Sequence, residues 1–341
     1  MKRATQKEVA ERAGVSRATV SYVINGTSSE AVPISPGTRQ KVLAAVEELG
    51  YQPNNQARTL RSGKTMIIGV LLLDMHNPHF WQYLTGIEEE AHLHGYTIML
   101  FHTALKRTEE DVALRELTQK RIDGAIVNSS YPFGTHDKDT EKALRKMPIV
   151  VLSAQQSPFD YVRVDYREAT QELMDYLYGL GHRRFGFVFG VANPENGLDR
   201  LEPYRAFLKE KGISSGDDGI IECGPKQEDG FEAACRLFAR EDRPTAVIAI
   251  NDYLAVGVLR AAADAGLSVP GDVSVCGYDD IPFSQYLVPR LTTVCRDIER
   301  AGRQAFRLLL DRMNGATGPA RIEMISNSLQ IRESTGPVPG P

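Results

Sequence analysis

The stretch Thr5 to Asn25, TQKEVAERAGVSRATVSYVIN, decides how this chain is read. Thr5 and Glu8, three residues apart, are the two halves of a capping box that opens a helix. Val9, Ala10 and Ala13 recur at helical spacing, and Gly14 then supplies a turn, because a residue without a Cβ adopts the left-handed conformation cheaply. Ser16 caps a second helix on which Val20, Val23 and Ile24 face inward, leaving Arg17, Ala18, Ser21 and Tyr22 pointing out. Two short helices, a glycine turn and an exposed polar edge describe a helix-turn-helix that enters a DNA major groove. The same spacing also fits an ordinary helical hairpin, so the remainder of the chain has to separate the two.

The distribution of charge favours the DNA reader. The 341-residue chain has a net charge of −4. Residues 1–64 hold ten Lys or Arg against five Asp or Glu, while the rest of the chain holds 30 against 39. A basic head on an acidic body is the footprint of a nucleic-acid reader joined to something else. The length predicts two or three domains, and 42% apolar with 25% charged residues is the composition of a soluble globular protein. Cys223, Cys235, Cys276 and Cys295 show no metal-ligand spacing, which argues against a disulfide scaffold or zinc finger and fits a reducing cytoplasm. No signal-peptide core precedes the first helix, and the longest apolar run, Met66 to Leu73, is far short of a membrane span.

After a polar loop from Gly26 to Pro33, Ser35 and Pro36 read as the cap and first-turn proline of a third helix running to Gly50, with Val42, Leu43, Val46 and Leu49 buried. Residues 51–64 have little with which to build a core and fit one short helix, Asn55 to Arg61, too short to be stable alone in water. From Met66 the pattern changes. Apolar runs at 67–73, 97–101, 125–128, 149–152, 185–189, 246–250 and 273–277 read as strands. Amphipathic helices are expected at 80–94, 109–120, 168–180, 200–211, 230–240, 252–265 and 298–314. Near-continuous apolar strands alternating with helices mean parallel sheets covered on both faces. There are too many strands for one small sheet, so two doubly wound subdomains with a cleft between them are predicted, with ligands at the carboxyl ends of the strands.

A series of segments now adds up. VAERAGVSRATVSYVIN, TRQKVLAAVEELGYQPN and ARTLRSGKT are followed by IGVLLLDMHNPHF, GIEEEAHLHGYTIMLFHT, ELTQKRIDGAIV and GLGHRRFGFVFG, then by AINDYLAVGVLRAA, VPGDVSVCGYDD and PRLTTV. In that order they resemble the lactose/galactose repressor (LacI/GalR) family of bacterial transcription factors, over roughly residues 3–335. The resemblance implies an all-α helix-turn-helix headpiece, a hinge helix, and an α/β effector domain of two doubly wound subdomains. That domain is similar to type I periplasmic binding proteins and dimerises. The corresponding boundaries are 1–50 for the headpiece, 51–64 for the hinge and 65–335 for the effector domain. Its N-subdomain is about 65–163 plus 295–325, its C-subdomain about 164–294 plus 326–335, and 336–341 are expected to form a disordered tail.

By resemblance, Arg17, Ala18 and Tyr22 sit where the family reads base edges. A guanidinium grips guanine O6 and N7, and Ala18 offers a methyl suited to thymine or to close approach. Tyr22 stands where the family often has Arg. Ser16, Thr19 and Ser21 are assigned to phosphates, which position without specifying. Arg17 is also compatible with a purely backbone contact. In the hinge, Ala57 and Leu60 lie on one face; the resemblance implies that Leu60 wedges into a central minor-groove step while Arg58 and Arg61 neutralise phosphates. One reading helix covers one half-site, so a two-fold homodimer on a pseudo-palindromic operator follows.

In the effector domain, Asp74 and Phe80 follow the first strand, Arg200 opens a helix, Asn251 follows AVIAI, and Asp279 follows VSVCGY; by resemblance these are the effector contacts, and Tyr166 is added to them without a motif of its own. Carboxylates and amides that bond paired hydroxyls, with an aromatic face, suit a polyhydroxylated ligand. Arg200 also suits a carboxylate or phosphate, so sugar, sugar derivative and nucleobase all stay open. Asp252 reads as a helix cap and Asp280 as a turn residue. Asp74, His76 and His79, with His92 and His94, have a faint metal-ligand look, but the last two face opposite ways on a helix, and no metal or cofactor is predicted. No GxGxxG, Walker lysine or GxSxG motif is present, so no enzyme activity is expected. The alternative function is a periplasmic-type sugar-binding protein without DNA binding.

Overall fold

The computed structural model describes residues 4–25, 34–51, 63–153, 156–213 and 217–338. It divides into two compact units, Met1–Thr65 and Met66–Pro341. The first holds α1 (Gln6–Ala13), α2 (Arg17–Asn25) and α3 (Pro36–Glu48). The capping box forms as the sequence predicts. Glu8 N donates to Thr5 Oγ1 at 3.3 Å, and Thr5 N donates to the Glu8 carboxylate at 2.6 Å. Gly14 takes φ +65° at the turn. Val9, Val20 and Val42, one from each helix, are fully buried, joined by Ala10, Val23 and Ala45. Leu43, expected in the buried stripe of α3, is 50% exposed. The face is set instead by Val42, Ala45, Val46 and Leu49, spaced i, i+3, i+4 and i+7, and Leu43 falls one step off it. The expected hinge helix lies outside the described residues.

The second unit contains two six-stranded sheets. In the first, β1 (Ile67–Leu72), β2 (Thr97–His102), β3 (Gly124–Asn128), β4 (Ile149–Leu152), β5 (Asp160–Val164) and β11 (Ile322–Ile325) run parallel in the order β2-β1-β3-β4-β5-β11. In the second, β6 (Phe185–Gly190), β7 (Ile220–Cys223), β8 (Ala246–Ala249), β9 (Ser274–Asp279) and β10 (Thr292–Arg296) are parallel in the order β7-β6-β8-β9-β10, and β12 (Asn327–Gln330) closes the edge antiparallel to β10. Both sheets share one winding, which places a topological switch point beside the first strand of each. The chain crosses between them three times, after β5, after β10 and between β11 and β12.

Helices cover both sheets: α4 (Pro78–Leu93), α5 (Arg107–Gln119), α6 (Lys138–Leu144), α7 (Arg167–Gly179), α8 (Leu198–Glu210), α9 (Gln227–Phe238), α10 (Asp252–Asp264) and α11 (Ile298–Met313). None of the described helices is long and apolar enough to cross a membrane. The strands and helices expected from apolar periodicity form within a few residues of their expected bounds. β5, β7, β10, β11, β12 and α6 were not expected. Most of them are short and alternate polar with apolar residues, as in DYVRV and TTVCR, so they lack the continuous apolar signature of a central strand. Asp160 in β5 is buried because Arg312 and Arg321 both pair with it, at 2.6 and 2.9 Å. The expectation of a disordered tail from Gly336 fails for 336–338. His182 and Ser274 bond to Gly336, and Val338 N donates to the Leu180 carbonyl. Residues 339–341 lie outside the described residues.

α4 and α11 meet backbone to backbone. A Cβ added at Gly86 would lie 2.0 Å from the Glu299 carbonyl oxygen, and one at Gly302 would lie 2.4 Å from that of Tyr83. Gly86→Ala is therefore expected to destabilise the protein by about 1–3 kcal/mol through overpacking, read as a lower urea midpoint of the full-length chain. An unchanged midpoint would show that the two helices separate freely.

Candidate functional site

In the first unit, Ser16 ends the turn and caps α2: Thr19 N donates to Ser16 Oγ at 3.0 Å, and the two hydroxyls are 2.9 Å apart. That cap fixes the start of the helix, so Arg17 and Ala18 stand exposed in its first turn, and Tyr22 lies one turn later at 37% exposure. Thr19 and Ser21 are half-buried. The edge presents a guanidinium, a methyl and a phenol, a set suited to base edges. The candidate hinge contacts Ala57, Arg58, Leu60 and Arg61 lie outside the described residues.

In the second unit, a cavity of about 140 Å³ opens between the two sheets at the carboxyl ends of their strands. Asp74 follows β1, Asn128 ends β3, Tyr166 follows β5, Asn251 follows β8, and Asp279 and Arg296 end β9 and β10. Asp74, Phe80, Tyr166, Arg200, Asn251 and Asp279, the six residues selected from the sequence, all line it. Sequence reasoning missed Arg296, Asp199, Asn128 and Ser130, and treated His79 only as a metal ligand. Among the described residues no group of three His, Cys, Asp or Glu side chains could hold a metal ion.

The floor of the cavity is a buried polar cluster. Asp279 Oδ1 accepts from Tyr166 OH at 3.1 Å and lies 3.1 Å from the Arg296 guanidinium. Arg296 also donates to His79 Nε2 at 2.6 Å. An imidazole nitrogen that accepts from a guanidinium is unprotonated, so the ring is neutral, with its proton on Nδ1, 3.6 Å from Asp279 Oδ2. Burial leads in pushing the His79 imidazole down to about 3; Asp279 opposes that shift, and Arg296 and Arg200 reinforce it. Burial alone would raise the Asp279 carboxyl, but the facing N–H of His79, the Arg296 and Arg200 guanidiniums and the Tyr166 hydroxyl outweigh it and hold it below the usual carboxylate range. Burial raises the Tyr166 hydroxyl well above its ordinary value, so it stays a donor. Asp279 holds a left-handed φ of 102°, a strained value for a residue with a Cβ, which these bonds sustain.

A second guanidinium borders the same space. Arg200 donates to the carbonyls of Ile250 at 3.1 Å and Asn196 at 2.6 Å, lies 3.5 Å from Asp199, and has its Cζ 4.5 Å from the Tyr166 ring centroid. Arg296 approaches the same ring, at 5.1 Å. Asn193 and Asn196, just before α8, both donate to the Ser130 carbonyl, at 2.8 and 3.1 Å, and so bridge the two sheets across the cleft. Asn251 caps α10, accepting from Leu254 N at 2.9 Å. The neighbouring Asp252 is fully buried and is not the cap. It pins the loop after β9 instead, accepting from Ser284, Thr293 and Ile281 N. Asp280 pairs with Arg332 at 2.7 Å. Phe80 is buried against the cleft, whereas Trp81 is 45% exposed.

A basic helix-turn-helix unit and a two-sheet domain with a polar cleft define a ligand-responsive, DNA-binding regulator. Comparison with known proteins agrees. Residues 5–54 match the model described as bacterial regulatory proteins, lacI family, and residues 174–335 match a periplasmic binding protein-like domain. Catabolite control protein A of Priestia megaterium is 33% identical over 331 residues, covering 96% of this chain and 98% of that protein. The HTH-type transcriptional repressor PurR of Photobacterium profundum is 33% identical over 336 residues, covering 97% and 98%. The structure of the lac repressor dimer bound to operator and the anti-inducer ONPF superposes with a TM-score of 0.82 at 28% identity, covering 98% of this chain and 100% of that one. A LacI family regulator from Enterococcus faecium with bound ribose superposes with a TM-score of 0.71 at 29% identity, over 80% and 99%. The chain belongs to the LacI family of bacterial regulatory proteins.

The neutral His79 has a consequence for acid stability. The unfolded imidazole, near 6.5, takes up a proton that the folded one refuses until about 3. The unfolded state therefore binds more protons through that window, and stability falls as pH drops through it, by up to about 1.4 kcal/mol per pH unit. Thermal melts of His79→Gln should lose less Tm than the parent between about pH 6.5 and pH 4. Parallel pH profiles for the two proteins would contradict a neutral buried imidazole.

Proposed function

We propose that this regulator is a repressor, that it binds a pseudo-palindromic operator as a homodimer, and that a sugar or sugar derivative in the cleft sets its operator affinity. The observation that supports this most is the convergence of Asp74, Arg200, Asn251 and Asp279 on one cavity at the strand ends. Such side chains give the mixed donors and acceptors that hydroxyl groups need, since each hydroxyl both donates and accepts. A nucleobase is disfavoured because both guanidiniums crowd the Tyr166 ring, leaving Phe80 as the aromatic surface for stacking. Of the similar structures, one LacI family regulator holds ribose and another, CelR, is a cellobiose complex.

The operator contacts are assigned to Arg17, Ala18 and Tyr22 at base edges, with Ser16, Thr19 and Ser21 at phosphates. In the hinge, Leu60 with Ala57 is assigned to the minor groove, and Arg58 and Arg61 to phosphates. Effector contacts are assigned to Asp74, Phe80, Tyr166, Arg200, Asn251 and Asp279. The two sheets act as subdomains with two relative arrangements. The effector stabilises one of them, and that choice determines whether paired hinges engage DNA. Operator and effector then alter each other's affinity by the same factor, typically about 1–3 kcal/mol.

Fluorescence anisotropy with a labelled operator duplex at several salt concentrations tests this reading. A steep negative slope of log affinity against log salt is expected, and a flat slope would overturn DNA binding as the function. Arg17→Ala should weaken operator binding by about 1–3 kcal/mol and relax discrimination at one base pair, whereas Leu60→Ala should weaken it without changing effector affinity. Asp279→Ala should keep operator binding and lose the effector response. A normal response in that variant would remove Asp279 from the site.

A further inference from the structure

The loop after β3, residues 129–137, is held by charged groups from two helices. Glu110 on α5 is buried, and its carboxylate accepts from the Ser129 hydroxyl and, at 3.1 Å, from Ser130 N. Asp111 beside it pairs with His136 Nδ1 at 2.8 Å. Arg107, one turn earlier, donates to Thr135, lies 3.2 Å from Asp111, and has its Cζ 4.6 Å from the Tyr131 ring centroid. From α6, Glu141 accepts from the backbone N–H groups of Gly134 and His136. So fastened, the loop offers the Ser130 carbonyl to Asn193 and Asn196 across the cleft, which donate to it at 2.8 and 3.1 Å.

One contact in this arrangement needs a proton. His136 Nδ1 donates to the Asp111 carboxylate, so that nitrogen carries a hydrogen. The other ring nitrogen, Nε2, is buried without a hydrogen-bond partner and faces Glu110 Oε1 at 3.6 Å, with both side chains 1% exposed. A lone pair on Nε2 set against an ionised carboxylate is repulsive, and a proton on either group turns the contact into an attraction. We propose that Glu110 and His136 hold one proton between them, that as positioning residues they fix the Ser130 carbonyl as a latch between the two sheets, and that losing this proton at alkaline pH frees the latch. The proposal takes from the function given above that the sheets have two relative arrangements, and adds what holds one of them.

Burial leads in raising the Glu110 carboxyl above its ordinary value, against the Ser129 and Ser130 bonds and the charges of His136 and Arg107, which lower it. A carboxyl raised in the folded protein keeps a proton that the unfolded chain gives up. Its contribution to stability is complete below the ordinary value and is lost as pH rises through the raised one. The charged groups facing the pair do not reverse that sign. Arg107 and Asp111 on α5 pair with each other, and Glu141 on α6 adds a further negative charge beside His136. Phe133, whose ring centroid is 5.8 Å from that of His136, and Phe159 beyond it supply an apolar wall. The bared carboxylate reaches water only when the loop lifts, and the Ser130 carbonyl then leaves the two asparagines.

Hydrogen–deuterium exchange of the full-length, ligand-free protein, corrected for the intrinsic rate at each pH, tests this through peptides spanning 129–137 and 193–198. Protection of both is expected to fall together by about tenfold or more between about pH 5 and pH 9, since one released proton allows up to about tenfold per pH unit. In Glu110→Gln the amide donates to His136 Nε2 and still accepts from Ser130 N, so the loop should stay protected across the whole range. Loss of a merely structural carboxylate would instead loosen it at every pH. With Asn193→Ala and Asn196→Ala combined, the loop should keep its pH response while 193–198 exchanges fast throughout. The latch is overturned by protection in the parent that ignores pH, by a response confined to 129–137, by a Glu110→Gln protein that follows the parent, or by a double variant that matches it. No effector or operator takes part, so such a result leaves the proposed regulator standing, and a protein that fails to bind operator leaves the latch standing.

Discussion

The interaction on which the effector domain depends is the buried contact of Asp279 with Arg296, Tyr166 and His79. Each partner comes from a different place. Tyr166 follows the first crossing between the sheets, Arg296 precedes the second, Asp279 ends a strand of the second sheet, and His79 opens a helix on the first. All four are less than a tenth exposed. In such surroundings a charge that loses its partner costs about 3–5 kcal/mol. Any relative movement of the two sheets that separates Arg296 from Asp279, or His79 from either, has to supply a replacement. Under the proposed function, a polar ligand entering the cleft meets these same groups, so that binding and sheet arrangement would draw on one set of hydrogen bonds.

The two units are stabilised on different scales. The first rests on six buried side chains, none larger than valine, with an Arg12–Glu48 pair at 2.8 Å whose side chains are more than half exposed. Such a pair adds at most about 1 kcal/mol. Capping by Thr5, Ser16 and Ser35 is therefore a large part of what fixes its helices. The second unit buries two sheets, parallel but for the edge strand β12, between helices, and its close α4–α11 contact through Gly86 and Gly302 leaves no room for a side chain on either glycine. The reading surface is thus held by local caps and a small core, and the cleft by a large core and buried charge.

Much of this was legible in the sequence because it is local. Thr5, Glu8, Gly14, Ser35 and Pro36 act on their own helices, and apolar runs such as Ile67–Leu73 and Ile149–Leu152 lie in central strands whatever their neighbours do. Arg200, Asn251 and Asp279 were found because strand ends and helix starts mark the mouth of a doubly wound sheet. Arg296 was not found, because its role depends on the register that sets the end of β10 beside the end of β9. The place of His79 is set by Arg296 and Asp279, more than 190 residues away, and in sequence it resembles a metal ligand beside Asp74. β11 and β12 were missed for a related reason. Their half-exposed, mixed patterns acquire meaning only once β5 and β10 offer an edge to pair with.

The buried cluster, the cleft and the DNA-reading edge are joined in one account by a coupling free energy, and that quantity is measurable. Operator affinity of the full-length protein should be determined with and without a saturating saccharide, in the parent and in Arg296→Gln. The parent is expected to change by about 5- to 150-fold, the usual range of such couplings, with operator altering saccharide affinity by the same factor, and the variant to lose most of that change. An Arg296→Gln protein that binds the saccharide and keeps the whole factor would contradict the account, because coupling would then run outside the Asp279 cluster.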